Sequence, residues 1–263
     1  ENSGIVIQAK SALDIELKKE GIYCLRIGEI TGNQSLLLKN NSTQFSFNVP
    51  SLRDVWYSTS TALDQHQTSN DLAKSRFENY KNQALTYKFP TGFLGKTHAL
   101  AGQNKIKSAI IREQGSNSER EMAYAMQLAG FEVIDVHMTD LIEGRETLED
   151  IQFIAAVGGF SNSDVLGSAK GWAGSFLYNK KAKVSLDNFF KREDTLSLGV
   201  CNGCQLFVAL GMITPEHQEK PKMLHNESGK FECHFTAVTV QPSTSILMKG
   251  LEGSTLGIWA AHG

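Results

Sequence analysis

One stretch constrains this chain more than any other: Leu196-Ser197-Leu198-Gly199-Val200-Cys201-Asn202-Gly203-Cys204-Gln205-Leu206-Phe207. It reads as a short apolar strand, a sharp turn carrying a cysteine, and the start of an apolar helix. Gly199 and Gly203 stand two residues before and after Cys201, which is the spacing of a nucleophile elbow with cysteine in place of serine. The glycines answer a steric need, because neighbours of a residue on so tight a turn must have almost no side chain. An elbow lifts the sulfur out of the sheet. It also sets Cys201 at a helix N-terminus, where the positive end of the helix dipole favours a thiolate.

An elbow requires a strand before it and a helix after it, and the preceding residues supply more of both. Strands are expected at 106–112, 131–136, 153–157 and 196–200. Helices are expected after the capping-box spacing Ser116-Asn117-Ser118-Glu119, with Met122, Ala125, Met126 and Ala129 on one face, and at 165–178 and 186–192. Strands alternating with helices imply an α/β fold, a parallel sheet with helices on both faces. Ligand sites in such folds lie at the carboxyl ends of the strands. Gly158-Gly159 and Cys201 both fall there. After Pro215 the pattern changes to antiparallel alternation at 229–240, and a last strand at 258–261 leads directly to His262.

The opening residues read differently. Strands are expected at 5–8 and 22–30, a short helix at 11–20, and a hairpin at 35–39 and 43–48, together a small and incomplete α+β segment. Residues 51–80 read as a helical linker and 85–103 as irregular. The expected division is therefore 1–50, a linker at 51–105, and a domain at 106–263.

Composition excludes several classes. The formal net charge of −2 over 263 residues gives no bulk attraction to nucleic acid or to a membrane surface, and no apolar run is long enough to span a bilayer. Glu1-Asn2-Ser3 shows neither region of a signal peptide. Four cysteines in a chain of this length suggest reduced thiols, hence a cytoplasmic location, rather than a disulfide framework.

The motif Gly199-Val200-Cys201-Asn202-Gly203-Cys204-Gln205 resembles the nucleophile motif of class I glutamine amidotransferases. Arg112-Glu113-Gln114-Gly115, Gly158-Gly159-Phe160-Ser161, Asp164-Val165-Leu166-Gly167, Gly171-Trp172-Ala173 and Ala261-His262-Gly263 narrow the resemblance. Together they are similar to the C-terminal glutaminase domain of the large, single-chain phosphoribosylformylglycinamidine synthases. The resemblance covers 106–263, and residues 1–105 are similar, more weakly, to the tail of the preceding synthetase domain and its linker.

This resemblance implies that Cys201 attacks the side-chain amide of L-glutamine and that His262 acts as acid and base. It implies an oxyanion hole from backbone N–H groups of Asn202 and of the Gly158, Gly159, Phe160 loop. It places Gln205, Ser161, Asn226 and Ser228 at the substrate. No metal or cofactor is implied for this segment, whereas ATP and Mg2+ are implied for the upstream synthetase domains of the same polypeptide, the expected partner. Two departures from the family pattern stand out. Asn162-Ser163 replace an aromatic residue and a glycine, and His234 stands where an arginine is usual. In the family a glutamate two positions after the histidine completes the triad. The given sequence stops at Gly263, so a chain with this end is expected to hydrolyse glutamine poorly.

Plainer readings stand beside these. Cys201 and Cys204 have the spacing of a redox dithiol or half a zinc site, although no second pair supplies the missing ligands. Cys204 reads as a small buried residue, and Trp172 and Met126 read as core. A non-catalytic interaction module on a related α/β fold is the alternative from a different class.

Overall fold

Helix α1 (Leu13–Lys19) comes first in the computed structural model, which describes residues 4–9, 13–69, 71–82, 85–95 and 106–263. Strands β1 (Ser35–Asn40) and β2 (Thr43–Asn48) form the expected hairpin, turning through Asn41 at a φ of 52°. Asn tolerates that left-handed conformation better than most residues. Helix α2 (Val49–Gln67) starts immediately afterwards. The Asn48 side chain accepts from the Ser51 N–H at 2.9 Å, and Pro50 sits in the first turn, where its missing donor costs nothing. Helix α3 (Leu72–Asn79) packs back on α2 through a Tyr57–Tyr80 ring stack and an Asp64–Arg76 ion pair of 2.8 Å.

Contacts divide the chain into two compact units, Glu1–Gln83 and Ala84–Gly263. Among the described residues of the first unit, Ala73 is the one apolar side chain in the core. A segment that buries so little has the character of a small, incomplete α+β piece. The strands expected at 5–8 and 22–30 do not form, and both stretches are irregular and exposed. Their apolar composition suits a strand, but a strand needs a partner edge, and among the described residues none pairs with them.

The second unit is built on four parallel strands. They are β3 (Lys107–Arg112), β5 (Glu132–His137), β6 (Phe153–Ala156) and β8 (Leu196–Gly199), in the order β5-β3-β6-β8. Two short strands, β4 (Ser116–Asn117) and β7 (Gly158–Gly159), pair with each other beside the sheet. Residues 108–111 of β3 are all buried, as are all four of β6, which is the signature of strands covered on both faces. Alternation assigns the faces. Ile110, Phe153, Ala155 and Val157 pack with Met126 of α4 (Glu119–Leu128). Ala109, Ile111, Ile154 and Ala156 pack against the other layer, α5 (Met138–Glu143), α6 (Lys170–Tyr178), α7 (Lys180–Lys191) and α8 (Asn202–Ala209). Trp172, Phe176 and Phe189 fill that second core and are essentially inaccessible. The last strands, β9 (Glu232–Thr239) and β10 (Thr255–His262), form a separate antiparallel ribbon.

Two expected helix starts move. Ser116-Asn117 is drawn into the β4–β7 pairing, so the capping box does not form; Ser118 becomes the residue before α4, with no side-chain cap. Helix α6 begins at Lys170 rather than 165, because Asn162, Ser163, Asp164, Ser168 and Ala169 all take positive φ and interrupt the helix. The irregular reading of 85–103 is met at 85–95, apart from a single bridge from Lys88 to Thr255, and its remainder lies outside the described residues.

Candidate active site

Strand β8 delivers the chain to Cys201, which ends it with φ 55° and ψ −112°. A side-chain-bearing residue held at positive φ costs about 1–3 kcal/mol, a strain found where the surrounding structure enforces it. Gly203 shows how it is enforced: a Cβ there would lie 2.1 Å from the Ala156 carbonyl oxygen. Lacking one, α8 sits directly on the end of β6. The exposed thiol of Cys201 then stands at the head of α8, beside Gly158, whose missing Cβ would lie 3.2 Å from Cys201 Cβ and 3.8 Å from Sγ. The expected elbow, and the expected glycine loop beside it, are therefore adjacent.

That loop is braced from outside. Gly159, at φ 99°, lies so close to the Ser116-Asn117 backbone that a Cβ would come within 2.5 Å of the Asn117 nitrogen. Phe160 donates its N–H to the Gly115 carbonyl at 3.0 Å, and Asn162 donates to Gln114 at 2.8 Å. The Phe160 N–H is thus already committed, contrary to its expected place in an oxyanion hole. The Asn202 N–H lies in the first turn of α8, where N–H groups have no acceptor within the helix. Phe160 itself is exposed, while Ser161 is buried, with its hydroxyl unpartnered.

The Asn202 side chain is buried, accepting from the Ser161 N–H at 3.2 Å and donating to Gln205 Oε1 at 2.9 Å. So Cys201, Asn202, Gln205, Gly158, Gly159 and Ser161 form one constellation.

The other expected residues form a second one. His262 ends β10 opposite Glu232 of β9. Asn226 reaches across to it, its Nδ2 donating to the His262 carbonyl at 2.8 Å and to Lys230 at 3.0 Å. Ser228 is buried in the same turn, 3.5 Å from the Lys230 carbonyl. No hydrogen bond joins His262 to Cys201. His234, at the position that departs from the family pattern, pairs with Glu232 at 2.9 Å.

Residues 105–263 match the family model of the CobB/CobQ-like glutamine amidotransferase domain. The chain belongs to this family. It is 41% identical to a probable phosphoribosylformylglycinamidine synthase, chloroplastic/mitochondrial, of Arabidopsis thaliana, over the whole of this chain and 20% of that protein. It is 40% identical to phosphoribosylformylglycinamidine synthase of Dictyostelium discoideum, over 83% of this chain and 17% of that one. The probable enzyme of Caenorhabditis elegans is 36% identical over the whole chain and 21% of its own length. The chain thus spans about a fifth of the curated relatives that it matches. Among solved structures, PurLQS from Thermotoga maritima superposes with a TM-score of 0.50 at 26% identity, over 61% of this chain and 68% of that one.

Burial pushes the Cys204 thiol up, and the neighbouring Cys201 adds in the same direction. The four cysteines are free, and no group of three or more metal-binding side chains gathers among the described residues. One departure also has a structural place: Asn162 lies against Gly171, where a Cβ would meet its Oδ1 at 2.7 Å.

Sequence reasoning assigned no role to Glu113. Its buried carboxylate follows β3, accepting from the Gln114 N–H at 2.7 Å and the Ser175 hydroxyl at 3.4 Å, with His137 Nε2 at 3.9 Å. It thereby braces the loop that holds Phe160 and Asn162. The Arg112-Glu113-Gln114-Gly115 motif marks the place but not the contacts.

Proposed function

We propose that this chain is the glutaminase part of a phosphoribosylformylglycinamidine synthase and serves purine biosynthesis. The observation that carries the reading is the strained Cys201 at the head of α8 beside the Gly158–Gly159 strand. Cys201 Sγ attacks the side-chain amide carbon of L-glutamine. The oxyanion forms against the Asn202 N–H, ammonia departs with a proton from His262, and a thioester remains. Water, deprotonated by His262, then releases glutamate and regenerates the thiol. For this the end of β10 must meet the elbow. Ammonia passes to synthetase domains upstream in the same polypeptide, which use ATP and Mg2+ to turn formylglycinamide ribonucleotide into formylglycinamidine ribonucleotide. No residue of this chain is assigned to hold either cofactor.

No helix among the described residues is long and apolar enough to cross a membrane. The free cysteines favour a reducing compartment, and we assign the cytoplasm.

A chloroketone analogue of glutamine tests the reading. The Cys201 thiolate would displace chloride and form a thioether, read as a mass increase on the peptide containing Cys201. Stoichiometric labelling at Cys201, slowed by free glutamine and abolished in Cys201→Ala, is expected. Labelling that glutamine does not slow would favour the interaction-module alternative.

A further inference from the structure

The Asn202 carboxamide is almost wholly buried, at 1% exposure, and both of its ends are occupied. The direction of each bond follows from one fixed point. The Ser161 backbone N–H can only donate, so the Asn202 atom facing it is the oxygen. The other end of the amide is then NH2, which can only donate, so the Gln205 atom facing it is also oxygen. The Gln205 amide is left with its NH2 group turned away from Asn202. Gln205 lies one turn along α8 from Cys201, its N–H donating to the Cys201 carbonyl at 3.1 Å. A backbone N–H in the glycine loop thus decides the polarity of a side chain one turn from the nucleophile.

We propose that Asn202 is a positioning residue, tying the Gly158–Ser161 loop to the nucleophile helix and fixing Gln205 as a hydrogen-bond donor toward an acceptor oxygen of the substrate. The proposal rests on the glutaminase reading and extends it. A buried amide that bridges two elements 41 positions apart in the chain does more than cap a helix. It adds a side-chain role to the backbone role expected of Asn202.

The test compares two reagents at Cys201, followed by mass spectrometry on the intact chain: the chloroketone, which needs the glutamine subsite, and iodoacetamide, which needs only an accessible thiol. Asn202→Asp keeps an acceptor for Ser161 but offers oxygen to Gln205, forcing its amide to turn over. The chloroketone second-order rate is expected to fall about tenfold, the worth of one hydrogen bond to substrate, with the iodoacetamide rate within about twofold of wild type. In a Gln205→Ala background the same substitution should cost nothing further. Gln205→Glu leaves both Asn202 bonds in place and reverses only the outward group; it should show the same tenfold loss, and it carries the test if Asn202→Asp does not fold. An unchanged chloroketone rate in Gln205→Glu, or a full loss from Asn202→Asp in the Gln205→Ala background, would overturn the proposal. Failure of the wild-type chain to react with the chloroketone would instead remove the glutaminase reading beneath it.

Discussion

The two constellations of the candidate site are held in opposite ways. Cys201 is set by backbone packing. Gly203 rests on Ala156 at the end of a strand buried on both faces, and Asn202 and Ser161 are buried behind it. His262 ends an antiparallel ribbon whose residues are half-buried or exposed, and the Asn226 side chain ties its backbone to the 226–230 turn. Cys201 inherits its geometry from a core that cannot move without unfolding. His262 depends on polar contacts such as those of Asn226, which can change at small cost.

The comparison breaks most visibly at glycines. In Gly203→Ala the new methyl meets backbone atoms of Ala156, which have nowhere to go. A loss of about 3 kcal/mol or more is expected in urea unfolding. In Gly257→Ala, on β10, the methyl would come 2.4 Å from Phe235 Cζ and 3.0 Å from Tyr87 Cε1, the tips of side chains that can swing aside. About 1 kcal/mol is expected there. Equal costs would mean that the ribbon is as rigid as the sheet.

A functional contrast is expected next. Asn226→Ala removes the bonds to the His262 and Lys230 carbonyls, at about 1 kcal/mol of stability. In the full-length enzyme glutamine turnover should fall about tenfold through kcat. Alkylation of Cys201 should be unchanged, because that half of the site does not depend on the ribbon. A parallel fall in alkylation would join the two halves.

The smallest effect concerns acid. Asp140 lies in the first turn of α5, accepting from the His137 N–H at 3.0 Å and from Arg145 at 2.8 and 3.0 Å. The Arg145 hydrogen bonds hold its carboxyl below the usual range, against some desolvation, with the His137 N–H acting in the same direction. A lowered folded pKa gives stability that is complete above the ordinary value of about 3.9 and is lost as the pH falls toward the folded one. Asp140→Asn should remove about 0.5 kcal/mol at neutral pH and flatten that acid limb, measured as Tm against pH. An unchanged acid limb would show that other groups set it.

What was legible in the sequence follows the range of the forces involved. The elbow could be read because Gly199, Cys201 and Gly203 solve a steric problem within five residues. The sheet could be read because strands buried on both faces leave long apolar runs. The capping box at Ser116 was misplaced because a pairing with Gly158-Gly159, far along the chain, outweighs a local cap. The expected strand at 22–30 has the composition, but among the described residues no strand pairs with it. The roles of the Asn202 and Asn226 side chains were out of reach. Their partners, Ser161 and His262, lie 41 and 36 residues away, and nothing in local spacing announces a bond over such a distance.

The positive φ of Cys201 makes the thiol a gauge of the whole unit. That conformation survives only while β8, the end of β6 and α8 stay docked, and any local opening lets the backbone relax to an ordinary angle. The chloroketone reaction at one sulfur therefore reports the integrity of the layered sheet around it, and a reagent chosen to count active sites will also count folded domains.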